Sequence, residues 1–439
     1  MDLYYLQLLI GFIGLTAIAI PFSSSIREIN YRNIAVGILF QIFLAFILIK
    51  IPIIVTFFKS LGDGVIALQN ATQKGTSFLF GFLSSPGLPF VQSDPSAQVQ
   101  SAYFAFGILP FILVMSALTA WLWHIKVLKV IVDAFSKVCQ KLFNIGGPIG
   151  LGAAANVFVG QVEAPLLIRP YLSRLTNKEL LILLTAGMST VAGSIMVALV
   201  TILNGQFPDI NLIQHLITAS VISVPAAIIY SNIMMPSNEV TTFDESKLPK
   251  LYNSSMDAIT KGTRDGLEIA LSVGAILIVF ITLVALVDSL LGIINEDLSL
   301  QAILGFIFAP ICWLMGIPWE EAVVAGQLLG IKTALNEFVA YAGLANLEPG
   351  LLSEQSKLIT LYALCGFANF SSVGILVAGV GAMAPERKND LVSVSLKALI
   401  GATLASCMTG LVIGLSLIHI SEPTRLRRIS YSVLCLKKK

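Results

Sequence analysis

Two short stretches place amides and carboxylates inside runs otherwise fit for lipid. Residues 156–171, NVFVGQVEAPLLIRPY, carry Asn156, Gln161 and Glu163 in one apolar segment. Residues 330–344, GIKTALNEFVAYAGL, carry Asn336 and Glu337 in another, with Glu320, Glu321 and Gln327 leading in. A carboxylate at membrane depth costs several kcal/mol unless it faces protein or water, so both acids are candidate site residues by default. The chemistry they offer is recognition of a polar ligand in a wet cavity.

The elements that must position these groups are irregular. Gly147, Pro148, Gly150 and Gly152 interrupt the backbone before the first stretch, and Pro165 and Pro170 interrupt it after. The pieces left are about 10 to 14 residues long, too short to span, and read as a re-entrant hairpin. Backbone of this kind survives at membrane depth only where it is buried in protein or lines a cavity. A long apolar segment follows each stretch, and each is broken: residues 177–203 by GMSTVAGS and residues 358–380 by CGFANFSSVG. Gly and hydroxyl residues in mid-span serve either close helix packing or local unwinding that frees carbonyls for an ion. A carboxylate-bearing hairpin followed by an interrupted helix thus occurs twice, the pattern of an inverted-repeat transporter site.

Composition sets the class. The chain has 439 residues, 56% hydrophobic and 12% charged, and a mean hydropathy of +0.87, against about 25% charged in soluble domains. It is an all-α polytopic membrane protein. Net charge of +2 gives no nucleic-acid footprint, because the basic residues lie in loops between apolar runs. The five cysteines are scattered without CxxC or Cys/His spacing, and His124, His215 and His419 lie far apart, so neither a disulfide framework nor a zinc site is expected. No HExxH, no GxSxG with a partner His and no Cys/His pair supports an intramembrane hydrolase.

Residues 3–20 lack a basic leader and a cleavage site and read as a retained first helix. A second span is expected over 34–58, then an aqueous outer loop to residue 100 with an amphipathic helix at its start. A third span covers 103–123, and 125–142 is an amphipathic interfacial helix with Lys126, Lys129, Lys137 and Lys141 on its polar side. Further spans fit 210–234, kinked at Pro225, 267–294 and 396–415, while 298–317 reads as lying along the membrane face. With the N-terminus outside, the outer loops hold only Lys59, Lys74 and Lys357, whereas most other basic residues fall inside. This leaves eight full spans and two hairpins. The tail from residue 416, SLIHISEPTRLRRISYSVLCLKKK, puts basic residues on the wrong side and resembles read-through of adapter DNA, so it is expected to be non-native.

NVFVGQVEAPLLIRPY, STVAGS, LNEFVAY and CGFANFSS, in this order, together resemble the concentrative nucleoside transporter family over nearly the whole chain to about Leu415. The resemblance implies a homotrimer of eight-span protomers of the bacterial type, in the cell inner membrane, importing nucleosides on an ion gradient. It implies scaffold at residues 1–142 and 206–318, transport domain at 143–205 and 319–385, and a last helix at 386–415. Gln161 and Glu163 would hold the nucleobase, Glu337 and Asn369 the ribose hydroxyls with Ser372 beside them, and Ile195 and Phe367 would line the apolar walls. Sodium would fall on Asn156, the carbonyls of Val159 and Val191, and the Thr190 hydroxyl.

The chemistry agrees with these roles. A nucleobase edge presents donors and acceptors that an amide and a carboxylate match, and vicinal hydroxyls donate well to a carboxylate. Sodium is a hard cation suited to an all-oxygen shell. Val162 stands where some members carry a hydroxyl residue, which leaves the preference between pyrimidine and purine nucleosides open. Asn156 and Thr190 favour sodium, with proton coupling as the alternative. Second readings remain: Glu163 paired with Arg169 or Lys332, Lys332 neutralising a neighbouring carboxylate, Asn369 as a helix cap, Ser372 and Phe367 as packing, Glu320 and Glu321 at a helix N-terminus. A non-transporting channel of the same fold would be expected to lack the full set Gln161, Glu163, Glu337 and Asn369.

Overall fold

The structure, a computed structural model, describes residues 2–84, 104–107, 109–203, 207, 210–242, 250–295 and 298–436, with side chains as far as Ser416. The expected outer loop over 85–103, Lys247 and the side chains of the 417–439 tail lie outside the described residues.

Among the described residues every regular element is helical. The chain opens with α1 (Asp2–Ala19) and α2 (Tyr31–Lys50). The second span, expected to reach residue 58, stops at Lys50 because Pro52 follows. Ile51 is extended at φ −75° and ψ 117°, as a residue before proline prefers, and Pro52 sits in the first turn of a new helix, α3 (Pro52–Phe80). The amphipathic helix expected at the head of the outer loop is therefore longer than read and starts earlier.

After α4 (Phe104–Gly107) and α5 (Leu109–His124), Lys126 adopts a left-handed conformation at φ 67° and turns the chain into α6 (Val127–Phe143). Leu128, Val132, Ser136, Cys139 and Phe143 bury one face of α6, while Lys137 and Lys141 remain exposed on the other, as the period indicated.

Two sets of four short helices follow the same plan. The first is α7 (Gly147–Ala155), α8 (Glu163–Leu167), α9 (Asn177–Ser189) and α10 (Gly193–Leu203). Between the sets lie α11 (Leu212–Met234), which continues through Pro225, then α12 (Ser255–Ile294) and α13 (Leu300–Leu314). The second set is α14 (Trp319–Ala334), α15 (Glu337–Ala345), α16 (Glu354–Leu364) and α17 (Phe370–Met383), and α18 (Lys388–Leu436) closes the chain. Glu320 and Glu321 lie in the first turn of α14, where acids complement the helix dipole, and Glu321 also accepts from the amide and hydroxyl of Ser353.

Six helices among the described residues are long and apolar enough to cross a membrane, and the α13–α14 pair, bent by 118°, adds a broken one. They fall into two classes. The spans in α11 and α18 are 89% buried in protein, whereas those of α1 and α2 are 22% buried and display Leu3, Ile13, Leu39 and Phe43 outward. The buried pair forms the centre on which α9, α16 and α2 pack, and the outer helices present the apolar surface that a bilayer requires.

Polar groups brace the ends of this bundle. Glu179, 1% exposed, forms a capping box with Thr176 at the start of α9, and its carboxylate also accepts from the Thr241 amide at 2.9 Å and hydroxyl at 2.6 Å. Arg387 spreads its guanidinium over the carbonyls of Ser173 (3.2 Å) and Leu175 (2.5 Å) and the Asn177 side chain, tying the segment after α8 to the head of α18. Because Glu179→Ala would take the acceptor from four part-buried donors, it is expected to cost about 2 kcal/mol. Thermal unfolding in detergent measures this, and an unchanged melting temperature would show that the brace carries no stability.

Candidate functional site

Each of the two sets bends where its sequence cannot stay helical. Gly146, extended, and Pro148 start α7, and the helix stops at Asn156, whose Nδ2 donates back to Gly152 O at 3.1 Å. The chain then turns without regular structure until Glu163 opens the short helix α8. Here the Glu163 carboxylate folds over Gly160. A Cβ at residue 160 would lie 1.9 Å from Oε2, so a larger residue there would push the carboxylate aside. In the second set α14 ends at Leu335, and Asn336 caps α15 by accepting the Val339 amide at 3.0 Å. That cap delivers Glu337 as the first residue of α15, at the positive end of the helix.

The long segments break as their Gly and Ser content indicated. Residues 190–192 separate α9 from α10, and residues 365–369 separate α16 from α17. The two breaks touch: Gly366 has φ 155° and its backbone lies so close to the Ser189 carbonyl that a Cβ would come within 2.9 Å of the oxygen. Asn369 ends the second break by capping α17, with Oδ1 accepting the Ser372 amide at 2.8 Å and the Ser371 hydroxyl at 3.0 Å. Its amide nitrogen remains free for another partner and donates to Glu337 Oε2 at 3.1 Å. One end of the amide therefore caps α17, and the other meets the Glu337 carboxylate.

These bends converge on a cavity of about 480 Å³. All seven residues expected at the ligand site line it: Gln161, Glu163, Ile195, Glu337, Phe367, Asn369 and Ser372. Gln161 Nε2 lies 3.4 Å from Ser372 Oγ, which joins the two sets across the cavity, while Gln161 Oε1 is buried without a partner. Ile195 and Phe367 are 4% and 7% exposed and form apolar wall. The competing ion pairs are not made among the described residues. Arg169 is exposed, and Lys332, fully buried, donates to Ala363 O at 2.9 Å.

Sequence reasoning missed one wall. Asp265, Glu268 and Ser272 of α12 line the same cavity, and Asp265 and Glu163 also border a smaller cavity of about 70 Å³ beside it. The signal was present: the three fall at helical spacing on one face, in a helix that starts at Ser255, twelve residues ahead of the span expected from 267. Ser254 caps that early start by accepting the Asp257 amide.

The residues expected around an ion lie at and after the end of α7 and in the α9–α10 break. Asn156, Thr190 and Val191 are each 1% exposed or less. Thr190 Oγ1 donates to Ala186 O at 2.9 Å and lies 3.3 Å from Asn156 O. The Gly193 amide donates to Phe158 O at 3.2 Å, which holds the turn carrying Val159 against the α9–α10 break. Asn156 Oδ1 is buried with no hydrogen-bond partner. An orphaned acceptor among carbonyls and a hydroxyl is what an all-oxygen cation shell needs, so these residues fit sodium.

Comparison with known proteins shows what the whole chain is similar to. Residues 215–414 match the family model for the C-terminus of Na+ dependent nucleoside transporters, residues 10–83 the model for their N-terminus, and residues 105–206 a model described as nucleoside recognition. The chain is 35% identical to an uncharacterized transporter of Bacillus subtilis, YutK, over 93% of this chain and 98% of that protein. It is 33% identical to the nucleoside permease NupC of Helicobacter pylori, over 92% and 96%. Among solved structures it is similar to the transporter CNTnw in an inward-facing substrate-bound state, at a TM-score of 0.83 and 33% identity over 94% of this chain and 97% of that one. A variant of CNTnw in an outward-facing state matches at 0.85 and 33%, over 94% and 98%.

The double duty of Asn369 makes its two bonds separable. Asn369→Ala removes cap and amide donor together and is expected to destabilise by about 2 kcal/mol, whereas Asn369→Ser restores the cap and recovers about 1 kcal/mol of that. Melting in detergent distinguishes them, and equal loss in both variants would assign the whole effect to the bond with Glu337.

Proposed function

Because the chain belongs to the concentrative nucleoside transporter family, we propose that it imports nucleosides by symport with sodium. The observation that carries this reading is the convergence of Gln161, Glu163, Glu337 and Asn369, drawn from two hairpins and the break between α16 and α17, on one cavity of about 480 Å³, within the range typical of small-molecule sites.

Gln161 and Glu163 bind the base edge, with donors and acceptors on one short turn. Glu337 accepts from the ribose hydroxyls, and Asn369, already bonded to Glu337 at 3.1 Å, orients that carboxylate and offers its own amide. Ser372 adds a hydroxyl beside Gln161, and Ile195 and Phe367 exclude water from the faces of the ligand. Each buried polar group left unpaired by a wrong ligand costs about 1–3 kcal/mol, which makes the sugar hydroxyls a condition of binding.

Sodium is held by Asn156, Val159, Thr190 and Val191, and when bound it supplies the charge that couples uptake to the gradient. The orphaned Asn156 Oδ1 supports this assignment. The protomer is read as eight spans with two re-entrant hairpins in inverted repeats, assembled as a homotrimer in the bacterial inner membrane. Residues 143–205 and 319–385 form the transport domain, which moves against scaffold residues 1–142 and 206–318, ahead of the last span at 386–415. Solved relatives described as inward-facing, outward-facing and intermediate support such a movement.

Uptake of radiolabelled uridine and adenosine into proteoliposomes tests the function. An inward sodium gradient is expected to drive saturable uptake of at least one of them. Uptake that follows protons and ignores sodium would overturn the coupling, and no saturable uptake of any nucleoside would overturn the assignment. Glu163→Gln and Glu337→Gln each remove a charged acceptor and should lower uptake at least about tenfold. A dideoxynucleoside lacking both ribose hydroxyls should compete roughly ten- to a hundredfold more weakly than uridine.

A further inference from the structure

Val191 lies in the break between α9 and α10, where neither its amide nor its carbonyl has a helical partner. Both groups are taken by one side chain on another helix. Val191 N donates to Ser220 Oγ at 2.8 Å, and Ser220 Oγ donates to Val191 O at 3.2 Å. Ser220 belongs to α11 and is fully buried, as is Val191. A hydroxyl has one donor and two lone pairs, so it can do both at once, and a carbonyl that accepts one hydrogen bond keeps a second lone pair for another partner.

The residue before it in the chain faces Asn156. Thr190, adjacent in the chain, lies 3.3 Å from Asn156 O, and Asn156 Oδ1 is the buried acceptor without a partner. A two-point clamp on the Val191 residue therefore sets where its carbonyl lies relative to Thr190 and Asn156. We propose that Ser220 is a positioning residue for the cation site: it clamps the Val191 amide and carbonyl so that the free lone pair of that carbonyl is presented to the ion. Ser220 itself is not a ligand. The proposal rests on the sodium reading above and goes beyond it by naming the group that shapes the shell from a different helix. Because neither Ser220 nor Val191 lines the cavity, loss of the clamp should weaken sodium binding and spare the nucleoside pocket.

The test uses the full chain in detergent and in proteoliposomes, with two readouts. One is the rise in melting temperature as sodium replaces choline, which follows from binding to the folded state alone. The other is the half-saturating sodium concentration for uptake, set against the nucleoside KM at saturating sodium. Ser220→Ala is expected to raise the half-saturating sodium roughly tenfold and to blunt the sodium-dependent melting shift, with the KM at saturating sodium changed by less than about twofold. Ser220→Cys, of similar size but a weaker donor, should lie between Ser220→Ala and the parent protein and serves if Ser220→Ala does not fold. Parental sodium dependence in whichever variant folds overturns the proposal, as does a loss of melting temperature in choline with an unchanged sodium shift. If the parent protein itself gains no stability from sodium and takes up nucleoside without it, the cation reading fails and the proposal falls with it.

Discussion

Every peptide group freed by a break inside a bilayer must find a partner within the protein, since no water is there to supply one, and the organisation of this molecule follows from that constraint. At the first break the Ser220 hydroxyl takes both ends of Val191 and the Thr190 hydroxyl returns to Ala186 O. At the second, Asn369 takes the Ser372 amide, and Gly366 lets the two breaks approach each other. Small and hydroxyl-bearing residues are concentrated at these points because their side chains replace the missing helical bonds without occupying much volume. Asn156 Oδ1 and Gln161 Oε1, two of the ten buried side-chain atoms left without a partner among the described residues, lie where an ion and a nucleobase are expected.

The same constraint governs the buried charges. Glu337 is offered at the head of α15 and receives the Asn369 amide, so an amide orients it. Lys332, in the last turn of α14, is fully buried and directs its ammonium to Ala363 O, near the end of α16, where carbonyls lack helical partners. A direct ion pair between Lys332 and Glu337 would have consumed the acceptor that a ligand needs. Keeping the base on a carbonyl leaves the carboxylate available to the cavity.

The outer helices do a different job. Apolar side chains of α1, α2 and α3 face outward, and α12 contributes one polar face to the cavity while Ile278 and Ile293 remain exposed farther along it. The ligand site is consequently built from two kinds of wall: irregular turns that carry most of the polar groups, and the side of a straight helix bearing Asp265 and Glu268. Only the first kind advertises itself by breaking a pattern.

That difference explains what could be read from residue order. Carboxylates and amides stranded in apolar runs, bounded by Gly and Pro, have a single physical excuse, so Glu163, Glu337, Gln161 and the paired interruptions were legible, and the remaining site residues followed from motifs resembling a known family. Local grammar also separated the buried and exposed faces of α6. It misjudged where the second span ends, because hydropathy is blind to a proline that stops one helix and starts another at Pro52. Asp265, Glu268 and Ser272 were passed over because a polar helical face beside a loop looks solvated in any sequence. By itself, then, the sequence determined the class, the helices and the groups able to recognise a ligand, since these depend on hydropathy, chain breaks and residue chemistry. Which of those groups share a cavity, which end of Asn369 caps and which bonds, and that Ser220 on α11 holds Val191 were decided by tertiary packing alone, because contacts between helices distant in the chain leave no local periodicity.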